Sequence, residues 1–274
     1  MGLRRRLDRR RVAVLLAAAA GVLVTATAPF AAGRGPDPTP APLRVLAAAS
    51  LTDVVDDLAL RFTAAGGGAV TTSFGASSAL ARQIRDGAPA DVFVSASADW
   101  IAFLKETDAI DGSAIVVARN RLVCVTTRDG PLAAEAITDP RALLAALDRT
   151  GLDAREVAIA DPGVPAGEYA REALASLGLL PAFEPRLVGQ RDVRAVLHAV
   201  EQGELAVGFV YATDARQADV VTLFPFDPTT HPPIEYLAIV PHGAPSPDRA
   251  HRFLDFLRGD EARARLAEAG FVLP

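Results

Sequence analysis

From Leu43 onward, short apolar runs alternate with stretches whose apolar residues recur at helical spacing, and few folds accommodate that rhythm. Residues 43–48, 69–74, 91–95 and 121–127 read as strands, and residues 51–65 and 77–85 as helices. Val54, Val55, Leu58 and Phe62 share one face of the first helix, and Trp100, Ile101 and Leu104 fall on a helix after the third strand. The pattern then restarts, with strands at 157–160, 186–188 and 205–211 and helices at 166–177 and 193–202. A strand at 235–240 and helices at 248–257 and 261–268 close the chain. Such alternation is the mark of βαβ units, an α/β class with a largely parallel sheet. The layout predicts two α/β lobes, the second inserted into the first: residues 43–120 plus 231–274 make lobe 1, and residues 121–230 make lobe 2.

What precedes this region has a different composition. Arginines at 4, 5, 6, 9, 10 and 11 lead into an apolar stretch at 12–24 and then small residues to Ala32, so residues 1–32 read as an export signal. Ala26-Thr-Ala28 has the form of a cleavage site, but Pro29 follows it directly; left uncleaved, residues 12–32 are long enough to serve as a membrane anchor. Pro36, Pro38, Pro40 and Pro42 recur at every second position, which stiffens the chain and forbids strand pairing, so residues 33–42 read as a Pro-rich tether. The protein is therefore expected to be exported, either periplasmic or tethered to the outer face of the cytoplasmic membrane.

Removing six arginines and Asp8 with the leader, from 28 basic and 33 acidic residues, leaves a strongly acidic body. Such a surface repels nucleic acid. An anion site on it has to rely on local dipoles instead of a general positive field. Cys124 is the only cysteine, so no internal disulfide forms, and its apolar setting reads as a buried strand thiol. His198, His231, His242 and His251 are scattered and form no metal-ligand spacing, so no site for a bare cation and no cofactor is expected.

Chemistry concentrates where apolar strands end and helices begin, the position at which open α/β sheets bind ligands. Ser50 and Ser77 each sit at such a junction; the plain reading of both is helix capping, Ser50 with Asp53 as a capping box. Asp161-Pro-Gly-Val-Pro-Ala-Gly167 leads into a third helix with Pro165 near its start, and Asp192 is placed to cap a fourth, leaving the Val193 N–H in its first turn. Tyr211 ends an apolar strand, where its phenol either reaches into a cleft or is a plain interfacial aromatic. Free N–H groups in first helical turns suit an anion without any lysine or arginine.

Ala47-Ala-Ala-Ser-Leu51, Phe74-Gly-Ala-Ser-Ser-Ala-Leu-Ala-Arg-Gln83, Gly87-Ala-Pro-Ala-Asp91, Val164-Pro-Ala-Gly167, Asp192-Val-Arg194 and Gly208-Phe-Val-Tyr211, in this order, resemble the periplasmic molybdate-binding protein family of ABC importers. The resemblance runs from about Leu43 to the C-terminus. It implies a type II periplasmic binding protein fold, two α/β lobes joined by a hinge with the ligand cleft between them. It implies molybdate as ligand, tungstate as a near equivalent, a membrane permease and separate ATPase subunit as partners, and a monomer. Carried over by motif, the ligand contacts are the hydroxyl and N–H of Ser50 and of Ser77, the N–H groups of Ala166 and Val193, and the hydroxyl of Tyr211. The loop before Ala166 is one residue shorter than in some members.

Two alternatives stay open on the sequence. One is a binding protein for another tetrahedral oxyanion such as sulfate. The other is a serine hydrolase, because Gly75-Ala-Ser77-Ser-Ala79 nearly writes a nucleophile elbow with Ser77 as nucleophile.

Overall fold

A computed structural model describes residues 41–110, 113–150 and 156–274. The expectations for the leader and for all but the last two residues of the tether lie outside the described residues. Among the described residues no helix is long and apolar enough to cross a membrane.

The chain runs β1 (Leu43–Ala48), α1 (Thr52–Phe62), β2 (Val70–Gly75), α2 (Ser77–Arg85), β3 (Val92–Ser95), α3 (Ala98–Glu106) and β4 (Ile115–Asn120). It continues as β5 (Leu122–Thr127), α4 (Pro140–Thr150), β6 (Val157–Ala160), α5 (Pro165–Ser176), α6 (Leu180–Phe183), β7 (Leu187–Gln190), α7 (Val193–Glu201), β8 (Val207–Tyr211), α8 (Ala212–Ala215) and β9 (Val220–Pro225). The last elements are β10 (Ile234–Ile239), α9 (Pro247–Arg258) and α10 (Asp260–Glu268).

These strands form two five-stranded sheets, in the orders β2-β1-β3-β10-β4 and β7-β6-β8-β5-β9. Each sheet with its flanking helices is an α/β lobe, and the two repeat one layout. In the first, β1 pairs parallel with β2 and β3, then β10 runs antiparallel to β3 and β4. In the second, β6 pairs parallel with β7 and β8, then β5 runs antiparallel to β8 and β9. Both sheets are thus mixed, where the βαβ rhythm suggested a largely parallel sheet. The antiparallel strands are the two that arrive from the opposite sheet: β4 passes into β5 through Arg121 alone, and β9 returns to β10. A crossing strand enters from the far side and therefore runs against its new neighbours.

The inner parallel strands β1, β3 and β6 are buried almost throughout, as strands under helices must be, while the edge strands β2 and β7 are not. α1 lays Val54, Val55, Leu58 and Phe62 on the first sheet as its periodicity predicted, and Phe62 meets Phe253 of α9 edge to face at 5.1 Å. Asp91 explains the acidic end of its motif. Its buried carboxylate accepts the N–H groups of Arg44 at 2.7 Å and Ser246 at 2.6 Å, tying β1 and the start of α9 together. Cys124 lies fully buried in β5, and burial pushes its thiol well above the ordinary value.

Two glycines set the approach of α5 to the second sheet. Gly163 sits at φ +81°, a left-handed turn that lets the loop double back, and its N–H is held by the Glu168 carboxylate at 2.8 Å. A Cβ on Gly167 would overlap the carbonyl of Ala160, so only glycine allows the helix start to rest on the end of β6. Gly167→Ala is expected to destabilise the protein by about 1–3 kcal/mol, the usual cost of forcing a methyl into a packed site. Urea denaturation measures it; an unchanged midpoint would mean that α5 can lift off β6 freely.

Candidate functional site

The carboxyl ends of β1, β2, β6, β7 and β8 point toward one another across the gap between the sheets. There they enclose a cavity of about 20 Å³ lined by Ser50, Ser77, Ala166, Val193 and Tyr211, among others. A single water needs about 10–15 Å³ measured in this way, so the space suits one compact solute. All five residues singled out in the sequence meet here, from positions as distant as 50 and 211, and all are nearly inaccessible to solvent.

Neither serine caps its helix. Ser50 lies inside a short 3-10 turn, Ala49–Leu51, that precedes α1, and its hydroxyl is hydrogen-bonded to the Tyr236 hydroxyl at 2.9 Å. Asp53, the other half of the expected capping box, turns instead to Arg194 at 2.6 Å. Ser77 is the first residue of α2, after Ala76, and its Oγ accepts the N–H of Ala96 at 3.0 Å. With that lone pair used, the hydroxyl proton of Ser77 is free for the cavity. The capping reading failed for both because the true partners lie far away in sequence.

The two helices from the second sheet contribute backbone. Val164 and Pro165 open α5, which places Ala166 in its first turn, where N–H groups have no partner within the helix. Asp192 does cap α7: its carboxylate accepts the N–H of Ala195 at 2.9 Å, leaving Val193 at the first helical position. Tyr211 ends β8 with only 1% of its surface exposed, and among the described residues its hydroxyl has no hydrogen-bond partner. A buried, unpaired hydroxyl costs about 1–3 kcal/mol, so this atom is arranged for something the fold itself does not supply.

Among the described residues, no basic side chain lines the cavity. Arg194, the nearest guanidinium in the motif, is consumed by two carboxylates, donating from Nε to Asp214 at 2.7 Å and from Nη2 to Asp53. Burial alone would lower the Arg194 pKa, but Asp214 and Asp53 outweigh it and hold the guanidinium charged. Burial raises the Asp214 carboxyl to about 6 against the pull of Arg194. Burial also lifts the phenol of Tyr211 well above its ordinary value, so it stays a protonated donor.

The Asp53–Arg194 pair joins an element of the first sheet's lobe to one of the second, and two more contacts do the same. Trp100 Nε1 donates to the carbonyl of Gly163 at 3.1 Å, and the Tyr169 hydroxyl donates to the carbonyl of Ala96 at 3.3 Å. Burial pushes the Tyr169 phenol up to about 12. Sequence reasoning missed Tyr236, Asn120, Asp214 and these cross-lobe bonds.

The wall presents hydroxyls and first-turn N–H groups, and the Asp192 carboxylate that also lines it is turned to the Ala195 N–H, so donors dominate, the complement of a small oxyanion. Comparison with known proteins agrees with that chemistry. Residues 43–272 match the family of bacterial extracellular solute-binding proteins. The molybdate-binding protein ModA of Escherichia coli (strain K12) is 35% identical over 235 residues, 84% of this chain and 89% of that protein. ModA of Haemophilus influenzae is 35% identical over 237 residues, 84% and 90% of the two chains. The chain belongs to the molybdate-binding protein family. The solved periplasmic molybdate-binding protein of Azotobacter vinelandii superposes with a TM-score of 0.72 at 26% identity, covering 85% of this chain and 99% of that one. The two-sheet α/β architecture described above matches the periplasmic binding-protein fold.

Trp100 is the single tryptophan and sits on the cross-lobe seam, so its emission reports whether the cleft is closed. Asp53→Ala removes one of the bonds across the seam and is expected to red-shift that emission relative to wild type as the indole gains water. Identical spectra would mean that the Asp53–Arg194 pair does not hold the lobes together.

Proposed function

We propose that this protein is an exported solute-binding protein that captures molybdate in the cavity and hands it to the membrane permease of an ABC importer, whose separate ATPase subunit drives uptake. The observation that carries this reading is the buried, partnerless Tyr211 hydroxyl facing a compact cavity together with Ser50, Ser77 and first-turn N–H groups. Molybdate is a tetrahedral dianion, fully ionised at neutral pH, and offers only acceptors. Ser50 and Ser77 would each give a hydroxyl and an N–H, Ala166 and Val193 an N–H apiece, and Tyr211 its hydroxyl.

Hydrogen bonds to a charged group are worth about 1.5–3 kcal/mol each, so this donor set sums to about 10–21 kcal/mol. Ordering, closure and desolvation reduce it to about 8–12 kcal/mol, micromolar to nanomolar binding. With neutral donors only, selectivity rests on cavity size and donor placement. Tungstate, with the same charge and nearly the same size, is bound as well; sulfate is smaller and reaches fewer donors. Residues 43–120 with 231–274 would form one lobe and residues 121–230 the other, closing on the anion as a monomer. In this site Ser77 serves binding: its Oγ accepts the N–H of Ala96 and its proton goes to the anion. The protein acts in the periplasm or tethered to the outer face of the membrane.

Isothermal titration with molybdate, with sulfate and phosphate as competitors, tests the reading. The expected result is tight one-to-one binding that sulfate does not displace; millimolar affinity for every oxyanion would refute it. Ser50→Ala, Ser77→Ala and Tyr211→Phe are each expected to weaken binding by about 1.5–3 kcal/mol, and unchanged affinity in all three would place the site elsewhere. Because the Tyr211 phenol is held protonated, affinity is expected to be flat between about pH 7 and 9; a fall across that range would contradict its role as donor.

A further inference from the structure

Behind Ser50, away from the cavity, a chain of polar side chains begins at the first crossing between the sheets. Asn120 is the last residue of β4, and Tyr236 is fully buried on the neighbouring β10. The sense of each hydrogen bond in this chain follows from one amide. Asn120 Oδ1 accepts the N–H of Arg121 at 2.9 Å, which fixes the amide's orientation and turns Nδ2 the other way. That nitrogen donates to Thr213 Oγ1 at 2.8 Å and to the Tyr236 hydroxyl at 3.1 Å. An amide nitrogen has protons and no acceptor site, so Tyr236 receives.

Among the described residues, the one other polar partner of the Tyr236 hydroxyl is Ser50 Oγ at 2.9 Å. If Ser50 donated to it, the phenol proton would be buried with nothing to accept it. The arrangement that leaves no proton stranded runs Asn120 to Tyr236 to Ser50, and the proton of Ser50 then points into the cavity. A serine hydroxyl left alone donates or accepts as its neighbour requires. Here the phenol proton occupies a lone pair and leaves the Ser50 proton unspent, as the N–H of Ala96 does for Ser77 at the end of the neighbouring strand β2.

We propose that Asn120 and Tyr236 are positioning residues that lock the Ser50 hydroxyl as a donor toward the ligand, and so prepare the cavity for an anion that carries no proton. This rests on the reading of the cavity as an oxyanion site. Asn120 and Tyr236 never touch the ligand; they act through Ser50, and their effect must vanish when the Ser50 hydroxyl is gone.

A double-mutant cycle read by isothermal titration of the full chain with molybdate tests this. Tyr236→Phe is expected to weaken binding about 5–30-fold when Ser50 is present and less than about twofold in a Ser50→Ala background. Asn120→Ala, which removes the source of the polarity and keeps the phenol, is expected to show the same dependence on Ser50. Equal losses in both backgrounds, or none in either, would overturn the relay while leaving the anion site intact, because such losses report the shape of the cleft alone. A wild-type chain that takes up no oxyanion would instead overturn the anion-site reading and the relay with it.

Discussion

A helix leaves the N–H groups of its first turn without partners, and in a buried setting something must accept them. The whole molecule is arranged around that requirement. α1 with its preceding turn, α2, α5 and α7 all begin at the carboxyl ends of strands and converge on one small cavity. Their dipoles and unpaired donors create a positive potential on a protein whose folded body is acidic, and they do so without a cationic side chain in the wall. Lysine or arginine would bind oxyanions of any size at longer range; fixed dipoles discriminate by position. The glycine at 167 and the left-handed turn at Gly163 are the steric conditions for bringing α5 close enough to take part.

The charges near the site bridge the two lobes instead. Arg194 spans from Asp214 on its own lobe to Asp53 on the other, and Trp100 and Tyr169 add hydrogen bonds across the same seam. Asn120, at the first crossing between the sheets, touches Thr213 of one lobe and Tyr236 of the other. Hinge and binding wall are therefore joined by hydrogen bonds as well as by the chain.

Much of this was legible in the sequence. β1, α2 and β6 begin and end where the apolar pattern said, because buried strands and amphipathic helices carry their periodicity locally. β4 and β9 were not read. Both are edge strands with short apolar runs, Ile115 to Ala118 and Val220 to Phe224 broken at Thr222, and each is followed by another strand without an intervening α-helix, so the strand–helix rhythm does not mark them. The antiparallel placement of β5 and β10 was equally hidden, since it depends on pairing with strands far away in the chain. Ser50, Ser77, Ala166, Val193 and Tyr211, carried over from the family resemblance, line one cavity, while the serines' hydrogen-bond partners differ from the local caps expected. Tyr236 lies 186 residues from Ser50, and no spacing rule connects them.

Locating the bound metal atom tests the anion-site assignment most directly. A crystal grown with molybdate, with anomalous scattering recorded at the molybdenum edge, is predicted to show one molybdenum between the lobes. Its oxygens should lie within hydrogen-bond distance of the hydroxyls of Ser50, Ser77 and Tyr211 and of the N–H groups of Ala166 and Val193. Molybdenum at another place on the surface, or an empty cavity beside saturating molybdate, would contradict it.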